Sequence, residues 1–78
     1  MDTSIADVLV HIDELLSRED LAKLEAAVRE NDCVVCASVP AGKMHMMLVL
    51  YNPDCTTAKD ILIKMKEQGV HAELVEGV

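Results

Sequence analysis

The side chains with the most chemical potential are three cysteines, Cys33, Cys36 and Cys55, and three histidines, His11, His45 and His71. Cys33-Val34-Val35-Cys36 has the CxxC spacing that serves thiol exchange or metal binding. Exchange chemistry needs its reactive cysteine at a helix N-terminus, where the dipole favours thiolate. Cys33 instead follows the C-terminal end of a predicted helix, where the dipole disfavours thiolate. Met44-His45-Met46-Met47 offers soft ligands of the kind a copper site uses. Period-two alternation splits this run, with Met47 facing inward and Met46 outward, so a methionine-filled core accounts for it better than a ligand set. None of the histidines has HxxxH or HExxH spacing, which removes support for a zinc hydrolase. Asp13 and Glu14 read as a solvated turn. With no glycine-rich phosphate loop and no Ser-His-Asp set, the chain is expected not to be an enzyme.

Placing these groups requires the elements between them. Ala6 to Ile12 alternates, with Val8, Val10 and Ile12 on one side and Leu9 and His11 on the other, and this predicts a strand. Ser17 with Asp20 three residues on marks a helix start, a variant of the capping box. Leu21, Leu24, Ala27 and Val28 recur at helical spacing until Asn31-Asp32. A second strand is expected over Val34 to Val39. Pro40-Ala41-Gly42-Lys43 supplies a turn, and Met44 to Tyr51 a third strand. Asn52-Pro53-Asp54 stops it, because proline has no N–H for the ladder. Thr56 or Asp54 is expected to cap a second helix whose apolar face is Ala58, Ile61, Leu62 and Met65, with Gly69 past its end. Val70 to Val75 reads as a last strand. The order β-α-β-β-α-β, with right-handed crossovers, predicts an α+β, ferredoxin-like open-faced sandwich. Its four-stranded antiparallel sheet has strand order 4-1-3-2 and both helices on one face.

Composition sets the outer limits. The 78 residues make one domain, 1–78, near the lower size limit for independent folding. Tyr51 is the only aromatic residue, so the core must be aliphatic and methionine-rich. A formal net charge of −7 argues against nucleic acid, which needs clustered Lys and Arg, and against an anionic membrane surface. Met1 to Asp7 lacks the basic and apolar regions of a signal peptide. No apolar run approaches the ~18 residues a membrane span requires. A cytoplasmic location is expected. There the cysteines read first as free thiols, and their odd number prevents full pairing within one chain.

The chain resembles the heavy-metal-associated domain found in copper chaperones, metal-transport ATPases and mercury-binding proteins. The resemblance rests on the element lengths, on Gly42-Lys43 in the hairpin, on Val49-Leu50-Tyr51-Asn52-Pro53 before the second helix, and on Gly69-Val70 before the last strand. It implies a metallochaperone-like role with a soft ion, Cu(I) or Zn(II), as cofactor. The family's Met-x-Cys-x-x-Cys loop falls here on His11-Ile12-Asp13-Glu14-Leu15-Leu16-Ser17, which has no cysteine. Ile12 stands for the methionine, and Glu14 and Ser17 lie nearest the two cysteine positions. Neither is a ligand for a soft metal, so the chain reads as a divergent member that lacks the standard site.

Two functional expectations follow. The loops carrying Cys33 and Cys55 share one end of the predicted sheet, with Cys55 in the first turn of the second helix. With Cys36 they compose a candidate three-thiolate metal site, although aligning Val34, Ala37 and Val39 inward turns Cys36 outward. Separately, placing Val8, Val10, Met47, Val49, Tyr51 and Leu74 under the helices leaves Leu9, Met46, Leu48, Leu50 and Val75 on the bare face. An apolar bare face predicts an interface for a protein partner or a homodimer.

Overall fold

The computed structural model describes residues 5–75, so the first four positions of the Met1–Asp7 stretch lie outside it. Its elements run β1 (Ala6–Ile12), α1 (Arg18–Arg29), β2 (Val34–Ser38), β3 (Met46–Tyr51), α2 (Ala58–Glu67) and β4 (Ala72–Val75). The strands form one antiparallel sheet in the order β2-β3-β1-β4, the predicted order read from its other edge. This is the ferredoxin-like arrangement.

Local chemistry accounts for the helix boundaries. The Ser17 side chain accepts from the Asp20 backbone N–H at 3.1 Å, satisfying one of the free donors at the start of α1. Thr57 does the same for α2 through the Asp60 N–H at 3.1 Å. Thr57 is therefore the cap, not Thr56 or Asp54. Thr56 turns inward instead and is buried. α2 ends at Glu67 with Gln68 as its C-cap, and Gly69 follows with φ +93°, a left-handed conformation that glycine adopts without a Cβ penalty.

The core lies between the sheet and the two helices. Val10, Ile12, Ala37, Met47 and Val49 from the sheet meet Leu21, Leu24, Val28, Ile61 and Met65 from the helices. These positions recur at period two in the strands and at three and four in the helices, so both periodicities point one face at the same layer. Arg29, at the end of α1, adds a polar tie by donating from Nη2 to the Ala37 carbonyl at 2.7 Å.

Three strand boundaries differ from the sequence reading. Met44 and His45 are not in β3. Two consecutive turns, Lys43 N–H to the Pro40 carbonyl at 3.0 Å and Met46 N–H to the Lys43 carbonyl at 3.1 Å, delay the strand to Met46. β4 starts at Ala72, not Val70. β2 stops at Ser38 and carries a register shift between Val34 and Cys36. That bulge lets Val34, Ala37 and Val39 all pack on the core while Val35 is exposed.

Candidate functional site

Antiparallel pairing gives the sheet two chemically distinct ends. The entry to β2 and the exit of β3 meet at one end, where Val34 pairs with Tyr51. Here Asn52 donates its backbone N–H to the Cys33 carbonyl at 2.9 Å. The Asn31 side chain accepts from the Cys33 N–H at 2.8 Å. On the other side, the Asn52 carbonyl accepts from the Cys55 N–H at 3.0 Å and the Thr56 N–H at 3.1 Å. These bonds bring the Cα atoms of Cys33 and Cys55 to 5.5 Å, and their sulfurs are joined in a disulfide. Both residues reach the surface: Cys33 is half-buried and Cys55 exposed.

Two expectations about the cysteines are corrected here. Cys33 and Cys55 are not free thiols in this structure, because the loop geometry that places them at one end also sets them at bonding distance. Cys55 does not lie in the first turn of α2, which begins only at Ala58; it sits in the turn closed by Asn52. Of the three predicted thiol ligands, the structure thus joins two. Cys36 is unbonded and half-buried, and it pairs across the sheet with Leu50.

The other end of the sheet gathers all three histidines. His11 lies near the end of β1, His45 precedes β3 and His71 precedes β4. The backbone closes this end, with Ile12 N–H donating to the His45 carbonyl at 2.7 Å and Asp13 N–H to the His71 carbonyl at 2.8 Å. The His11 and His45 rings lie nearly parallel, with centroids 6.2 Å apart. Glu14 is not merely a solvated turn residue. Its carboxylate accepts from the His71 backbone N–H at 2.9 Å and meets His71 Nδ1 at 2.5 Å. These bonds hold the Glu14 carboxyl below its ordinary range, the backbone donor first and the ring second. The carboxylate in turn raises His71, by the hydrogen bond first and by charge second. The sequence offered one signal for this cluster: each histidine flanks a strand terminus, and the predicted topology puts those three termini together.

The bare face of the sheet carries the predicted alternation. Leu9 pairs with both Leu48 and Val75, Asp7 with Leu50, and His11 with Met46 and Glu73. Leu9, Met46, Leu48, Leu50 and Val75 are each half-buried. Leu74 pairs with Val10 on the helix side but remains 39% exposed on its edge strand.

No family model and no curated protein sequence matches the chain. Solved structures do. A copper-binding domain from HMA7, a P-type ATPase, aligns over 88% of this chain and 92% of its own, at 22% identity and a TM-score of 0.80. Oxidized MerP from Ralstonia metallidurans CH34 aligns over 94% of this chain and 100% of its own, at 10% identity and a TM-score of 0.83. The CopZ metallochaperone aligns over 90% and 100%, at 16% identity and a TM-score of 0.74. The chain shares the ferredoxin-like fold of these proteins. Within that fold, Ile12 is fully buried where the resemblance placed the family's methionine. Glu14 and Ser17, nearest its cysteine positions, are spent on His71 and on the cap of α1. The sulfur chemistry of this chain lies at the opposite end of the sheet. Among the described residues, no helix is long and apolar enough to cross a membrane.

Proposed function

We infer that this is a small, non-catalytic, metal-associated domain that takes up a thiophilic ion, Cu(I) in the first instance, through Cys33 and Cys55 once their bond is reduced. One observation carries the reading: two cysteines far apart in sequence are held with Cα atoms 5.5 Å apart at an exposed loop junction. Reduction leaves two thiols whose positions the Asn31 and Asn52 hydrogen bonds already constrain. Cu(I) accepts soft thiolate donors, and a constrained pair lowers the ordering cost of binding. Oxidation to the disulfide removes both donors, so uptake depends on the redox state of the compartment. Cys36 is left out of the ligand pair, since it runs into β2 opposite Leu50. The fold shared with copper-binding domains supports the same reading.

Native mass spectrometry of the reduced chain after Cu(I) loading tests it. One ion per chain, lost when the thiols are alkylated, is the expected result. A reduced chain that retains no copper would contradict the reading.

A second reading has its own observation. The row Ser38-Leu48-Leu9-Val75 runs across all four strands on the bare face, with Leu50 and Met46 on either side of Leu48. A sheet covered on one side only is expected to be polar on the other. Its apolar part, Leu48-Leu9-Val75 with Met46 and Leu50, is read as an interface for a protein partner or a second copy of the chain.

A further inference from the structure

We propose that His11, Asp13 and Glu73 form a binding site for a borderline divalent cation such as Zn(II), separate in place and in chemistry from the cysteine pair. His11 and Glu73 are direct cross-strand partners in β1 and β4, so their side chains rise side by side from the bare face. Asp13 follows β1 and turns back towards the ring, with its Oδ1 3.2 Å from His11 Nδ1. One ligand atom from each of the three residues lies within 4.8 Å of the others, and no other such group occurs among the described residues.

The donor set selects the ion. One imidazole nitrogen and two carboxylate oxygens are poor ligands for Cu(I), which wants sulfur, and suit Zn(II) and its neighbours. Two carboxylates and a neutral imidazole carry the two negative charges that balance a divalent ion. Tetrahedral Zn(II) with arms of ~2.0–2.1 Å has ligand–ligand edges of about 3.3 Å. The His11–Asp13 separation already matches such an edge. Glu73 is exposed, and its carboxylate lies within 4.8 Å of the other two ligand atoms. Backbone on both sides is tied down, through Ile12 to His45 and Asp13 to His71. Asp13 and Glu73 also border a shallow surface depression of about 590 Å³, whose lining includes His71 and Lys66 but not His11.

The full chain tests this with its Cys33–Cys55 bond intact and Cys36 alkylated, so that no thiolate competes. Zn(II) is titrated by calorimetry, and Co(II) is used as the spectroscopic probe. The expected result is saturable binding of one ion per chain, with a Co(II) d–d spectrum and no thiolate charge-transfer band. H11A and E73Q should each weaken Zn(II) by about tenfold or more, the scale on which even outer partners of a metal site act. H71A should leave the affinity unchanged, because His71 belongs to the Glu14 pair. Absence of saturable binding overturns the proposal. So does undiminished binding in both H11A and E73Q, or its loss in H71A. Because the thiols are blocked throughout, these outcomes are independent of whether the reduced cysteine pair takes up copper.

Discussion

Asn52 donates its backbone N–H to the Cys33 carbonyl across 2.9 Å, tying the entry of β2 to the exit of β3. The same residue closes the turn that carries Cys55, through its own carbonyl, while its side chain accepts from the Asp54 N–H at 2.9 Å. Asn31 plays the matching part on the Cys33 side. Replacing Asn31 or Asn52 with alanine removes a side-chain acceptor and leaves the fold's periodicity untouched. Each should cost about 0.5–1.5 kcal/mol, the usual net worth of one such hydrogen bond. Urea denaturation at fixed redox state measures this, and an unchanged midpoint would contradict the role assigned to these two asparagines.

The helix caps offer a cleaner local test. Ser17→Ala and Thr57→Ala each delete the side-chain acceptor for an N3 amide. Each should lower stability by about 1 kcal/mol. The caps sit on different helices and share no partner, so the double variant should show the sum. Thr56→Val, at the buried neighbour that is not a cap, should leave α2's first-turn amide exchange unchanged.

The Glu14–His71 pair predicts a pH window. Glu14 is lowered relative to its unfolded value, so its contribution to stability is present above the unfolded carboxyl pKa and is lost as pH falls through the lower folded value. His71 is raised, so its contribution is full below the unfolded imidazole pKa and disappears as pH rises through the higher folded value. The pair is intact between the two folded values. NMR titration of the His71 ring in metal-free protein should show it titrating above an ordinary histidine, and Glu14→Gln should return it towards the ordinary imidazole range. A His71 titration unaffected by Glu14→Gln would show that the contact is not formed in solution.

Much of this architecture was legible from period alone. The faces of β1 and β3 follow from strict alternation, so placing Val10 and Met47 inward necessarily places Leu9 and Leu48 outward. The helix faces follow equally from three-and-four spacing. What escaped the sequence reading depends on hydrogen bonds that no periodicity records. Met44 and His45 look like strand residues, but successive turns hold them out of the ladder. Thr56 and Thr57 are adjacent and both able to cap, and burial of one decides between them. The Cys33–Cys55 bond depends on how two loops fold back at one sheet end, so topology could bring the residues near each other without showing that they bond. His11 and Glu73 lie far apart in the chain, and only the β1–β4 register makes them neighbours.

For the bare face, Leu48→Glu puts a charge beside Leu9 in the Leu48–Leu9–Val75 row, between Met46 and Leu50 along β3. Leu48 is half-buried and points away from the helices, so the core should remain intact. If this row mediates association, light scattering should show the parent above monomer mass at high concentration and the variant as a monomer. A parent that is monomeric throughout, with no partner whose binding Leu48→Glu weakens, would remove the interface reading.

On the proposed function, Cys33 and Cys55 act together as a thiolate pair for a soft ion. The most direct measurement is a Cu(I) competition titration of the reduced chain against a chromophoric chelator, repeated for Cys33→Ser, Cys55→Ser and Cys36→Ser. A thiolate pair at Cys33 and Cys55 implies one tightly held Cu(I) per parent chain. Affinity should collapse in Cys33→Ser and Cys55→Ser alike, since each leaves a single thiolate, and Cys36→Ser should match the parent. Parent-like affinity in both Cys33→Ser and Cys55→Ser, or a loss confined to Cys36→Ser, would contradict it.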